Sequence, residues 1–212
     1  VPGTCTLGAG HLVYKEESPI PYRKVQFAPG HYYQVYNRCI GRQPIFQEPE
    51  NYELLLRRIK QYARTFKIAV FSYCLMQNHY HLLLRQDGDK PVSVLMQRVF
   101  NSYTKAYNKR YQRQGTLFEG SYRAIHVDQE SYLHHVCRYI HANPVRHRFV
   151  DHVADWPYSN YREWVGTREG SLVDRVIVQE LFSTGDAYEA FVQAYVEGLV
   201  ALPGGTEECL IE

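Results

Sequence analysis

The spacing of apolar residues changes along this chain, and each change marks an element. A Tyr-rich run from His31 to Tyr36 ends near Asn37 and predicts a strand. From Glu50 to Phe66 the apolar residues Tyr52, Leu55, Leu56, Ile59, Tyr62 and Ala63 recur at helical spacing. Lys67 to Leu75 is β-branched and aromatic, a buried strand. Met76-Gln77-Asn78 forms a tight connection to a second strand, His79 to Arg85, closed by Asp87-Gly88-Asp89. Val92 to Tyr111 reads as a long helix, and Tyr122 to Val127 as a strand. Asp128 is placed to cap a helix running to about Ala142 and stopped by Pro144. Ala187 to Ala201 forms one more helix.

The order β-α-β-β-α-β-α is that of a split βαβ unit. It predicts an α+β fold: a ferredoxin-like antiparallel sheet with helices on one side, an added helix bearing Tyr139, and a C-terminal helical tail. Residues 1–24, with Gly, Pro and mixed charge, read as an irregular N-terminal segment. Residues 25–165 read as the main domain and 166–212 as an acidic helical appendage.

With 212 residues, 45% of them hydrophobic and 22% charged, the chain excludes a disordered or fibrous protein. The longest strongly apolar stretch, Ile68 to Met76, is far short of a membrane span. No basic segment leads into an apolar run at the N-terminus, so no signal peptide is visible. The first residue is Val, which suggests trimming or a tag. The cysteines at 5, 39, 74, 137 and 209 are odd in number and form no Cys-x-x-Cys, as expected of reduced thiols in a cytoplasmic protein.

Charge sharpens this picture. Residues 1–166 hold 22 Lys and Arg against 13 Asp and Glu, net +9, whereas residues 167–212 hold 2 against 9, net −7. The segment 91–150 carries 9 basic residues against 3 acidic, interleaved with Tyr and Phe. Such a surface suits a polyanion whose bases stack on aromatics, although a solvated basic face has the same composition. The 19 tyrosines fit amphipathic packing, base stacking or a tyrosine nucleophile equally well. Tyr103, Tyr107 and Tyr111, four apart on the long helix, fit core packing better than stacking.

Two pieces carry chemistry. In Gln77-Asn78-His79-Tyr80-His81-Leu82-Leu83-Leu84, residues i and i+2 of a strand face one side, so His79 and His81 point together. Two imidazoles so placed either bind a divalent metal, with a further ligand from elsewhere, or form an ordinary pair of half-exposed histidines. In the helix around Tyr139, His135, Tyr139 and Asn143 lie four apart and share a face. Tyr139 is then either a core aromatic or a nucleophile flanked by metal ligands.

Six segments together resemble the HUH-type single-tyrosine transposases, and more closely their REP-associated (repetitive extragenic palindrome) branch. They are Tyr36-Asn37-Arg38 with Gly41 to Phe46, Tyr73 to Leu84, Tyr107 to Tyr111, Gly115 to Arg123, Arg138 to Arg146, and Asp155 to Tyr161. Their order and spacing match over about residues 27–165. The resemblance implies metal-dependent cleavage and rejoining of single-stranded DNA at hairpin or palindromic elements, through a 5′-phosphotyrosine. It assigns Tyr139 as nucleophile and His79 and His81 as metal ligands. Asn143 falls where the family places a third ligand, with His135 as the fallback, and the ion is Mg²⁺ or Mn²⁺. The tyrosine, with an ordinary pKa of about 10, needs activation by the metal or by a nearby cation such as Arg138 or a histidine. Arg38, Arg42, Lys109, Arg110 and Arg123 are the expected phosphate contacts. The expected partner is hairpin-bearing single-stranded DNA, without a membrane, in a monomer or homodimer associated with a bacterial nucleoid. Two alternatives stand beside this one: a silent DNA- or RNA-hairpin-binding protein, and a metal phosphodiesterase that uses water.

Overall fold

The computed structural model of the chain describes residues 25–128, 130–173 and 181–198. The irregular segment 1–24, Cys5, Cys209 and the end of the last predicted helix lie outside them. Four strands, β1 (Tyr32–Arg38), β2 (Ile68–Leu75), β3 (His79–Gln86) and β4 (Arg123–Val127), form one antiparallel sheet in the order β2-β3-β1-β4. This is the ferredoxin-like order. Helices α1 (Pro49–Phe66) and α2 (Val92–Arg110) are the two crossovers, and α3 (Glu130–Arg146) follows the last strand. A short helix α4 (Tyr161–Trp164) and a C-terminal helix α5 (Gly185–Val196) complete the order.

β3 reads almost continuously apolar because both of its faces are covered. Tyr80 stacks on Phe100 of α2, with ring centroids 4.3 Å apart, so one face lies under α1 and α2. His81 meets Tyr139 of α3 across the other face. α1 starts with Pro49 in its first turn, where the missing N–H costs nothing, and buries Tyr52, Leu55, Ile59 and Ala63. The tyrosine stripe of α2 is packing. Tyr103 donates to the Ile45 carbonyl, Tyr107 to that of Pro44 at 2.9 Å, and Tyr111 to Glu48, which ties α2 to the segment before α1.

The Asp155–Tyr161 segment seals the outer edge of β2. Leu75 N–H donates to the Tyr158 carbonyl at 2.9 Å. Asn160 accepts from Tyr73 N–H at 2.6 Å and donates to the Phe71 carbonyl at 2.8 Å. An edge strand so covered offers no ladder to another chain.

Two helix ends differ from expectation: the last helix stops at Val196 rather than Ala201, and α3 runs past Ala142. α3 is described from Glu130, and the residue between it and the expected cap Asp128 lies outside the described residues. At its other end the helix runs through Pro144 to Arg146. Pro144 stands in the last turn, where it removes a single helical hydrogen bond. The end is tied off beyond it, with the Asn143, Pro144 and Val145 carbonyls accepting from His147, Phe149 and Arg148.

Candidate metal and nucleophile site

The site forms on the face of the sheet that α3 covers. Strand alternation brings His79, His81 and Tyr36 to this face, with Tyr36 directly opposite His81 in the ladder. The His79 and His81 rings lie 5.3 Å apart and perpendicular. Tyr139 meets His81 edge to face at 5.5 Å, and Tyr36 stacks on the same imidazole at 5.7 Å. Tyr139 is only 4% exposed.

Local hydrogen bonds set the histidine tautomer. Gly41 (φ 62°) and Arg42 (φ 55°) are both left-handed, and this turn presents the Arg42 carbonyl to Asn78. Asn78 Nδ2 donates to that carbonyl at 3.3 Å, so its Oδ1 faces His79 Nδ1 at 2.7 Å. His79 therefore carries its proton on Nδ1 and keeps the lone pair on Nε2. The corresponding arrangement on α3 involves Asn143. Its Nδ2 donates to the Tyr139 carbonyl at 2.9 Å, which leaves Oδ1 as the outward acceptor.

His79 Nε2, both ring nitrogens of His81 and Asn143 Oδ1 are buried without completing a hydrogen bond. Asn143 still lies close enough to His79 to favour its charged form. Burial dominates nonetheless and, with the charge of His147, pushes the His79 pKa down to about 4. Burial also carries His81 well below the usual histidine range, helped by His79 and His147. Both rings are neutral at physiological pH, the form that coordinates metals. Buried lone pairs without a partner are costly, and a divalent ion accepting those of His79, His81 and Asn143 would remove that cost. Two imidazoles with an amide oxygen suit Mn²⁺, and Mg²⁺ if water fills most of its positions. Among the described residues, no group of three His, Cys, Asp or Glu could hold a metal ion, and Asn143 is the amide that lies against His79.

The other candidates are placed as follows. His135 Nδ1 accepts from Arg138 at 2.9 Å, and its ring packs on Phe191 of α5. Arg138, fully buried, lies 4.3 Å over Phe191 and 4.6 Å over Tyr195, turned toward α5. Arg146 lies 6.0 Å over the Tyr139 ring and also donates to Tyr195. Arg146 and Asn78 escaped the sequence reading, although both lie inside the quoted segments. His147, edge-on to His79 at 5.3 Å, escaped it too.

Arg38, Arg42 and Arg123 gather at the end of the sheet where β1 finishes and β3 and β4 begin, beside His79. Arg38 is paired with Glu119. Lys109 and Arg110 end α2 on the opposite face, and Arg110 pairs with Glu48 at 2.6 Å.

Comparison with known proteins fits this geometry. A REP-associated tyrosine transposase of Escherichia coli K12 is 27% identical over 111 residues, covering 52% of this chain and 64% of that protein. A Haemophilus influenzae protein that bears the same name provisionally is 26% identical over 113 residues, covering 48% of this chain and 64% of its own length. This chain thus spans less than two thirds of either curated relative. A solved REP-associated tyrosine transposase bound to a REP hairpin superimposes with a TM-score of 0.58 at 18% identity, over 71% of this chain and 92% of that one, which shows a shared fold. The family model "Transposase IS200 like" matches residues 28–143, more than half of the sequence and the stretch that holds His79, His81, Tyr139 and Asn143, so the chain belongs to that transposase family.

Proposed function

We propose that the chain cleaves and rejoins single-stranded DNA beside hairpin elements, with Tyr139 as nucleophile and a divalent ion held by His79, His81 and Asn143. The observation that carries this reading is the edge-to-face contact of Tyr139 with His81, beside one buried lone pair each on His79, His81 and Asn143 that completes no hydrogen bond. Buried polar groups without a partner are rare in a structural core, and an ion would explain these.

A bound divalent ion would neutralise a non-bridging phosphate oxygen and make phosphorus more electrophilic. The protein does the remaining work. Asn78 keeps His79 in the tautomer whose lone pair faces the site. Arg146 beside the Tyr139 ring favours the phenolate that develops during attack. The phenolic oxygen bonds to phosphorus as the P–O3′ bond breaks, leaving a 5′-phosphotyrosine and a free 3′-OH. Phosphoester energy is retained, so a 3′-OH can attack the phosphotyrosine and restore a DNA bond without ATP. The hairpin partner named for the structural relative supports the choice of DNA.

Incubation with labelled hairpin-bearing single strands and Mn²⁺, followed by a denaturing gel, tests the reading. Wild type gives a protein-linked band. Tyr139→Phe, which removes only a hydroxyl, binds DNA and gives none. Product without protein-linked DNA would favour hydrolysis by water, and binding without product a silent hairpin binder.

A further inference from the structure

The two histidines of the site are not equally supported. Asn78 fixes the ring of His79 through its Nδ1. His81 is fully buried, and neither of its ring nitrogens finds a hydrogen-bond partner among the described residues. A neutral imidazole that gives one nitrogen to a metal carries its proton on the other, and in a buried site that N–H needs an acceptor. Strand alternation brings one to the same face. The ladder sets Tyr36 opposite His81 and Gln34 opposite Leu83, so Gln34 is the diagonal neighbour of His81 on the face that α3 covers. Long side chains span such a diagonal.

Gln34 is itself fully buried, and both its Oε1 and its Nε2 lack a hydrogen-bond partner among the described residues. Its partners across the sheet are the apolar Leu83 and Ile125. A leucine or valine in that row would pack without the penalty of an unsatisfied amide. Packing alone therefore gives no reason for Gln34, whereas His81 beside it lacks an acceptor of this kind. We infer that Gln34 is a positioning residue of the metal site, whose Oε1 accepts the free ring N–H of His81 when His81 binds the ion, as Asn78 serves His79. This inference rests on the metal reading above. In the metal-free protein the amide only destabilises, and its benefit appears on metal binding, so one substitution acts in opposite senses on the two states.

Gln34→Leu, apolar and of similar size, is the test. The metal-free variant melts at the wild-type temperature or above it. In titration calorimetry it binds Mn²⁺ about tenfold or more weakly than wild type. A second readout is the His81 ring itself, followed by nuclear magnetic resonance in protein carrying isotope-labelled histidine and loaded with diamagnetic Zn²⁺. Wild type shows the His81 ring proton at the downfield position of a hydrogen-bonded N–H. Gln34→Leu moves it upfield and leaves the His79 proton, held by Asn78, in place. Equal Mn²⁺ affinity in the two proteins, or a His81 proton that the substitution does not move, overturns the role of Gln34. If the variant does not fold, the wild-type spectrum decides, since a His81 proton at the position of a free N–H overturns that role as well. Failure of the underlying reading looks different: wild type then binds neither ion, and the task assigned to Gln34 falls with the metal site.

Discussion

His79 reaches its coordinating tautomer through two neutral neighbours, the Arg42 carbonyl and the Asn78 amide. Removing such an orienting partner typically costs a metal site 10- to 100-fold in affinity. Asn78→Ala is therefore expected to weaken Mn²⁺ binding by about tenfold or more in titration calorimetry, with the melting temperature little changed. An unaltered dissociation constant would mean that Asn78 does not orient the ligand. His79, His81 and Tyr139 were legible in the sequence because two-residue strand spacing and the quoted segments point to them. The choice between Asn143 and His135 was not. Each four-residue helical step drifts by about 40°, so residues that share a stripe with Tyr139 diverge on its two sides. Asn143 turns to His79, while His135 turns to Phe191. Arg138, about 100° around the helix from Tyr139, lies over the Phe191 ring of α5.

At the scale of elements, α3 is held by a buried polar knot. His141 contacts Tyr188 of α5 through Nδ1, and Asn160 and Ser72 through Nε2, at 2.9 and 3.0 Å. Burial, the largest effect, pushes its pKa down to about 3. Unfolded His141 takes a proton near pH 6.5 and folded His141 does not. Stability is thus complete above that pH and falls as the pH drops toward 3, by about 2 kcal/mol at pH 5 from this residue alone. Chemical denaturation from pH 7.5 to 5 should show the decline, and His141→Asn should flatten it. A wild-type curve level over that range would contradict the neutral buried ring. Tyr188→Phe, which leaves His141 Nδ1 without its partner, should cost about 1–3 kcal/mol. The elements themselves were readable from periodicity almost to the residue. The exceptions were the ends of α3 and α5: Pro144 stops a helix only where several downstream bonds depend on it, and α5 stops at Val196 rather than Ala201.

For the whole molecule, no helix of the described residues is long and apolar enough to cross a membrane. The acidic appendage expected over residues 166–212 includes α5, whose Phe191, Tyr195 and Tyr188 pack against Arg138, Arg146 and His141 of α3. Composition cannot reveal this, because an amphipathic acidic helix reads the same whether it docks or hangs free. Electrostatics still governs DNA affinity in the proposed reading. Binding of single strands should fall with salt at a log–log slope of about −0.7 per phosphate neutralised, and Arg123→Ala should flatten it by about that increment. A slope unchanged by this substitution would take Arg123 out of the phosphate path. The central claim, that Tyr139 becomes covalently joined to DNA, is tested most directly by digesting the protein–DNA adduct and mapping the modified peptide by mass spectrometry. The account predicts a 5′-phosphonucleotide on the peptide containing Tyr139. A nucleotide on any other residue, or no adduct under conditions where the strand is cut, would contradict it.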